Sequence, residues 1–487
     1  MRIFEIILLI TATLFPFFIP IKKDFVSKKI PLAFIILVTI LHFIFEGYRW
    51  QMVPTYLMIL ILVWCIHKKY SFFKTSRFRK VVTGTFLILV LFIAWTLPSV
   101  LPVFELYTPT GNYAVGAQYI HLKTDQDEII TSEIGDKREL MIKVWYPATI
   151  DTEKTELYLN EGDRVSFALK YGLPKSTFNY LDDVNTHTYE RPMVAKGTFP
   201  VLIFSHGSYS QASGYYSIIE EIVSHGYIVL NINHTYESTG TLFSNGDIKL
   251  YDADFDKKYN NQKTAEMVWN AMENYKKATT IKEEYIAIEN LIRNYYAGDI
   301  NDRWSTTISL VIDELDKWNS SGFLKNHIDT SKIGVFGHSQ GGSAAGNALL
   351  DDDRIKAGIN IDGAQWGKMV DTMMTKPFAV ISSHWDSDHL NINKHAYRNG
   401  STSDFYKAKV LQSGHSSFMD IPVMINVPII NEAGSIDPFK GYKITTEIVV
   451  QFFDKYLLDK PSSLLELNST YPALEIEFIK NNENGLK

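Results

Sequence analysis

Lys332-Ile333-Gly334-Val335-Phe336-Gly337-His338-Ser339-Gln340-Gly341-Gly342-Ser343-Ala344-Ala345 is the stretch that decides the fold. The apolar run Ile333 to Phe336 reads as a buried strand, Gly337 to Gly341 fits G-x-S-x-G, and the small residues running on to Leu350 read as a helix. A strand, a sharp turn carrying serine and a helix make a nucleophile elbow. A side chain at either glycine would strike the neighbouring strand or helix, and the turn holds the serine in a strained conformation. Its hydroxyl then stands at the top of the sheet, with the N–H of Gln340 aimed at a developing oxyanion.

Outward from this point the chain alternates strands and helices. Strands are expected at Leu140 to Tyr146, Val201 to Phe204 and Tyr227 to Ile232 before the elbow. Ala357 to Ile361, Phe378 to Ser382 and Ala408 to Leu411 follow it. Helices are expected near Tyr216 to Ser224, Arg303 to Trp318 and Thr445 to Leu457. Such alternation predicts a mostly parallel sheet flanked by helices, and with the elbow at its centre the expected architecture is that of an α/β hydrolase. Between about 239 and 302 lies an insert with a turn at Ser244-Asn245-Gly246-Asp247 and mixed-charge helical stretches at Gln262 to Lys277 and Ile281 to Tyr296. Its Met267, Trp269, Met272, Tyr285, Tyr295 and Tyr296 would either face a ligand as a lid or pack the insert onto the body.

A nucleophilic serine needs a base, and the base needs an orienting acid. In this architecture they follow in the order Ser, acid, His, each at a strand's C-terminal end. His415, just past the strand ending at Leu411, sits where the base belongs, whereas His384, His389 and His395 precede that strand. For the acid, Asp362 ends the strand after the elbow, while Asp386 and Asp388 follow the next one, and spacing alone does not choose. The second oxyanion N–H is expected from Ser208, in the turn His206-Gly207-Ser208 after the early strand, with His206 propping that turn. His225 and His234 show no ligand-like spacing, so no metal is expected, and no cofactor is implied.

The first hundred residues differ in kind. Four apolar segments, about 3–19, 30–45, 52–66 and 81–103, predict a membrane domain over 1–105 ahead of a catalytic domain over 106–487. Lys22, Lys23, Lys28 and Lys29 follow the first segment, and Lys68, Lys69, Lys74, Arg77, Arg79 and Lys80 the third. The intervening connector carries only Arg49, so by the positive-inside rule both termini and the catalytic domain lie outside the cell membrane. His42, the one acidic or basic residue in the middle of a span, reads as an interfacial residue with its polar needs met, and the domain reads as an anchor. Leu97 to Pro102 is expected to break the last helix. A net charge of −6 argues against a nucleic-acid partner. The single cysteine, Cys65, excludes a disulfide framework.

The soluble part resembles the bacterial relatives of plasma-type platelet-activating-factor acetylhydrolase, also called lipoprotein-associated phospholipase A2. The likeness runs through Pro109 to Gly116, Arg138 to Pro147, Phe199 to Gly207, Ser224 to Val229 and Gly337 to Gly342. It continues at Asn360 to Gly363, Gly414 to Phe418 and Gly434 to Pro438. The resemblance implies Ser339, His415 and Asp362 as triad, since that family takes its acid from the strand directly after the elbow, with Asp386 the runner-up. It implies the Ser208 and Gln340 N–H groups as oxyanion hole, and a lipid ester with a short or oxidised acyl chain as substrate. The four-segment anchor and the long insert depart from the family. A general esterase or lipase, peptidase or acyltransferase would keep the same residues, and an inactive membrane receptor is the non-enzymatic alternative.

Overall fold

The computed structural model describes residues 1–18, 26–68, 76–150, 153–384 and 390–479. The chain divides into two compact units, one of residues 1–105 with the short segments 179–184 and 423–431, the other holding the rest.

The first unit contains helices α1 (Ile3–Phe18), α2 (Val26–Phe45), α3 (Val53–Lys68) and α4 (Arg77–Val100). Trp50–His67 and Arg77–Val100 are long and apolar enough to cross a membrane, while Ile3–Phe15 and Lys29–Phe45 are shorter apolar helices. Leu8, Leu9, Ile35, Met58, Leu62 and Ala94 form its core. Polar groups gather at one end. Arg49 Nη1 meets Glu5 Oε1 at 2.8 Å with both side chains buried, and its guanidinium lies 5.2 Å from the Tyr180 ring centroid. Glu46 accepts from the Phe4 and Glu5 N–H groups, two of the orphan donors at the start of α1. His42 is buried, 3.0 Å from Glu46 and 2.7 Å from the Tyr56 hydroxyl, so both its ring nitrogens are engaged. Helix α4 ends at Val100, within the Leu97 to Pro102 stretch expected to break it, although Pro98 itself is still helical, since so near the helix end its missing N–H removes a single hydrogen bond.

The second unit is built on one large sheet. Its strands are β1 (Ala114–Asp127), β2 (Lys137–Thr149), β3 (Thr188–Glu190), β4 (Met193–Val194), β5 (Phe199–Ser205) and β6 (Ile228–Asn233), then, beyond the insert hairpin β7 (Gly240–Leu242) and β8 (Ile248–Leu250), β9 (Ile328–His338), β10 (Ile355–Ile361), β11 (Phe378–Ser382), β12 (Phe405–Val410) and β13 (Leu474–Ile479). Their order is β13-β12-β11-β10-β9-β5-β6-β2-β1-β3, with β4 on β2. The run β12-β11-β10-β9-β5-β6 is parallel, and β2, β1 and β13 join antiparallel. Every residue of β5 and β6 is buried, as continuous apolar runs covered on both faces should be. Leu202, Ile203, Val335 and Ile359 contribute to this core, at roughly 1.5–3 kcal/mol for each such side chain buried.

The elbow strand lies centrally, between β5 and β10. Strands β1 and β13 go beyond the expected set, and β2 runs past Pro147 to Thr149. The helix expected from Arg303 begins earlier and divides, as Ala297–Asp313 and Leu315–Ser320.

In the insert, the Ser244–Asp247 turn closes the β7–β8 hairpin, with Phe243 N–H donating to Asp247 O at 2.8 Å. Helix Gln262–Lys277 is capped by Asn261, and Ile281–Asn294 opens on a capping box formed by Thr280 and Glu283. Ala271, Ile288, Leu291 and Ile292 pack with Val370, Ile392 and Ala396, joined by Met267, Tyr285 and Tyr295. Packing onto the body therefore accounts for those three, whereas Trp269 remains 65% exposed.

Candidate active site

Parallel strands all end on one edge, so residues that immediately follow β5, β9, β10, β11 and β12 converge there. Ser339 follows β9 directly, with φ 56° and ψ −123°, a left-handed conformation that a non-glycine residue adopts only under constraint. The constraint is visible on both sides. Its N–H donates to Ile361 O at 2.8 Å, fixing the turn to β10. A Cβ on Gly341 would strike the Ser205 and His206 carbonyls, and one on Gly337 would strike Gly341 itself.

Asp362, at the end of β10, also has positive φ (52°) and is buried. Its Oδ2 lies 2.7 Å from His415 Nδ1, and His415 Nε2 lies 3.0 Å from Ser339 Oγ. Asp362 also accepts from the Ser383 N–H (2.7 Å) and hydroxyl (2.9 Å), both just past β11. Three donors on one carboxylate favour its ionised form and fix its plane. A carboxylate at Nδ1 holds the proton on that nitrogen, leaving Nε2 as the acceptor facing serine. Burial alone would push the His415 pKa down; the hydrogen bond and charge of Asp362, with help from Glu432, outweigh it and raise the pKa above its ordinary 6.5. The His415 side chain is 39% exposed, whereas the Asp362 side chain behind it is fully buried.

Ser339 and His415, expected from the motif and the chain order, and Asp362, favoured over Asp386 by the family resemblance, come together here. Asp386, Asp388 and His389 lie outside the described residues. His384 pairs through its backbone N–H with Ser413 O, and His395 is buried against Glu284. His225, read as lacking a carboxylate neighbour, has Glu221 Oε1 3.0 Å from its Nε2, one helical turn back.

The turn after β5 packs onto the serine. A Cβ on Gly207 would lie 3.1 Å from Ser339 Cβ. Gly207 N–H donates to the Tyr215 hydroxyl and is thereby engaged, which leaves the next N–H in the turn, that of Ser208, as the candidate donor. Among the described residues neither the Ser208 nor the Gln340 N–H finds an acceptor, and Gln340 opens helix Gln340–Asp351, where the helix dipole favours an anion. The Gln340 side chain turns away to Ala297 O and Asn301. His206 is buried with Nδ1 at 2.7 Å from Gly207 O, and its Nε2 accepts from His234 N–H. His234 in turn stacks on Trp304 at 3.8 Å and reaches the Ser205 hydroxyl at 2.8 Å. These side chains shape the turn.

Two further residues escaped the sequence reading. His338 Nε2 lies 3.1 Å from the His415 carbonyl, and its Nδ1 lies 3.1 Å from the Tyr215 hydroxyl. A carbonyl only accepts, so Nε2 carries the proton and Nδ1 accepts from Tyr215. The resulting chain runs one way: Gly207 N–H to Tyr215, Tyr215 O–H to His338, His338 N–H to His415 O. It ties the turn after β5 to the loop carrying His415. Burial, then the neighbouring His415, push the His338 pKa down to about 3, which keeps this ring neutral. The signal was present in sequence only as the x of G-x-S-x-G.

Asp420 anchors the same loop from its other end. Its carboxylate accepts from the Tyr216 N–H (2.7 Å) and Ser217 N–H (3.1 Å) at the start of helix Tyr216–Ser224.

His338, Asp362 and His415 also form the one group among the described residues whose possible metal-ligand atoms come within 4.8 Å of one another. The hydrogen bonds above already engage those atoms, so the donor set is a poor cation site.

An elbow serine, a histidine and an aspartate on successive strand ends of a mostly parallel sheet place this unit in the α/β-hydrolase class. Residues 104–466 match the family described as platelet-activating factor acetylhydrolase, isoform II, and the chain belongs to that family. It is 27% identical over 296 residues to a platelet-activating factor acetylhydrolase of Gallus gallus, covering 55% of this chain and 65% of that one. It is 24% identical over 352 residues to the Canis lupus familiaris protein of the same name, covering 67% and 74%. A probable 1-alkyl-2-acetylglycerophosphocholine esterase of Arthroderma benhamiae is 24% identical over 56% of this chain and 65% of its own length. The chain thus spans just under two thirds of the chicken and fungal relatives. In fold it is similar to a ferulic acid esterase from Streptomyces cinnamoneus, with a TM-score of 0.60 and 21% identity over 78% of this chain and 100% of that one.

Proposed function

We propose that the protein is a membrane-anchored serine hydrolase of carboxylic esters, acting on lipid esters with short or oxidised acyl chains. The observation that carries the reading is the unbroken relay from Asp362 through His415 to Ser339 at 2.7 and 3.0 Å. Ser339 Oγ attacks the ester carbonyl while His415 Nε2 takes its proton. Asp362 holds the imidazole tautomer and stabilises the imidazolium that forms. The oxyanion is received by the Gln340 and Ser208 N–H groups. His415 returns the proton to the departing alcohol, leaving an acyl-enzyme on Ser339. Water, deprotonated by the same nitrogen, then releases the acid.

Ester hydrolysis is supported by membership of a family whose relatives are named for acetylhydrolase and esterase activity. Anchoring is supported by the two helices long and apolar enough to cross a bilayer and by the exposed apolar side chains of the first unit, while four crossings with both termini outside rest on the apolar segments and the charges of their connectors. The test is kinetic, on the detergent-solubilised full chain. Hydrolysis of p-nitrophenyl acetate and of a 2-acetyl phospholipid, both abolished by Ser339→Ala, is the expected result. Hydrolysis of the soluble ester with none of the lipid ester would remove the lipid assignment and leave a general esterase.

A further inference from the structure

Beside the Ser208 turn stands a cation with no counter-ion among the described residues. Lys170, the last residue of helix Glu161–Lys170, donates from Nζ to Tyr209 O at 2.8 Å. Among the described residues no carboxylate comes within 4.0 Å of that ammonium, and it lies over the rings of Tyr209 (4.5 Å) and Tyr171 (5.6 Å). Tyr209 is held left-handed at φ 52°, with its N–H on Glu237 O and its ring stacked on Tyr251 at 4.1 Å. That constrained conformation is what presents the Tyr209 carbonyl to Lys170. Two residues back, Gly207 packs on Ser339, and two peptide units reach at most about 7 Å. A half-buried ammonium is therefore held on the segment that continues from the Gly207–Ser339 contact, where removal from water lowers its pKa and, among the described residues, no acid pairs with it.

We propose that Lys170 is a specificity-determining residue that binds an anionic group, a phosphate or a carboxylate, carried by the ester substrate. Placing a cation partly out of water without a partner is unfavourable unless a ligand supplies the charge. Two of its three N–H donors remain for that ligand, since the third serves Tyr209 O. The aromatic rings beneath it restrict where the ammonium can move, so the ester is oriented as well as attracted. The proposal rests on the serine-hydrolase reading and adds the charge of the substrate to it.

The experiment compares three acetyl- or acyl-esters on the detergent-solubilised full chain: p-nitrophenyl acetate, which is neutral; p-nitrophenyl glutarate, with a carboxylate on the acyl side; and 2-acetylglycerol 3-phosphate, with a phosphate on the alcohol side. In Lys170→Met, the ratio of kcat/KM for one anionic ester to that for the neutral ester should fall by about ten- to a hundredfold, chiefly through KM. Lys170→Arg should restore most of the ratio. Which anionic ester responds tells whether the charge belongs to the acyl or the alcohol side. Ratios left at wild-type values in Lys170→Met overturn the proposal while leaving the hydrolase intact. An equal loss on all three esters makes Lys170 merely structural and also overturns it. A folded wild type that hydrolyses none of the three overturns the serine-hydrolase reading, and this proposal with it.

Discussion

The two units treat polar and apolar groups in opposite ways. In the sheet unit, the apolar side chains of β5, β6 and β9 are inside, and buried polar groups knit strand ends to loops through hydrogen bonds. In the helical unit, Leu60 (64%), Phe92 (66%) and Ile88 (70%) point outward, and the buried charges Glu5 and Arg49 neutralise each other at one end. The first arrangement places chemistry at the strand ends; the second leaves apolar side chains exposed along its helices and closes its polar groups at one end. The contrast teaches that the buried polar groups have different work in each. In one they build a site, and in the other they hold helices together.

Substitutions can separate these roles. Ser339→Ala should have the largest effect, lowering kcat by about 10⁴–10⁶ with an unchanged circular-dichroism melt. Asp362→Asn should lower kcat/KM by about 10⁴, because the amide no longer holds the proton on His415 Nδ1. Breaking the pair in the helical unit should act on stability alone. Arg49→Met leaves Glu5 with only Arg2 and should cost about 3–5 kcal/mol, read as a lower melting temperature in detergent, with kcat/KM of the surviving protein unchanged. If Arg49→Met instead impaired catalysis in the folded protein, the division of labour would collapse. Tyr215→Phe should be milder, lowering kcat about tenfold by uncoupling Gly207 from His338 and the His415 loop.

The smallest effect concerns pH. The base must be neutral, and its pKa is raised, so kcat/KM should fall as pH drops through a value above 6.5. By linkage, the Asp362–His415 pairing stabilises the fold at pH values below the unfolded pKa of His415, and that contribution is lost as pH rises through the folded one. Glu432→Gln should move the acid limb of activity downward slightly, since its charge is one of the influences holding the His415 pKa up.

How much of this was legible in the sequence follows from how local each signal is. The elbow is local: Gly337, Ser339 and Gly341 lie within five residues, and both glycines are needed because backbone lies where their Cβ atoms would be. The strands around it show as short apolar runs bounded by turn residues, and helix Tyr216–Ser224 matched its expected bounds. Strand β1 did not show, because its run Gln118 to Asp125 breaks alternation, with Tyr119 beside Ile120 and three polar residues at Lys123 to Asp125, and only pairing with β2 makes it a strand. The roles of Tyr215, His338 and Ser383 were hidden for the same reason. Their partners lie 123, 77 and 21 residues away, and nothing in a local spacing records such meetings. The choice between Asp362 and Asp386 needed family resemblance. Lys170 was invisible, since a lysine without a carboxylate partner among the described residues is defined by what surrounds it.

The most direct test of the central claim is active-site labelling of the detergent-solubilised protein with a fluorophosphonate, followed by mapping of the modified peptide. The account predicts label on Ser339, none in Ser339→Ala, steeply slowed labelling in Asp362→Asn, and near-normal labelling in Asp386→Asn. Wild-type protein that is folded yet never labels, or labelling that depends on Asp386 rather than Asp362, would contradict it.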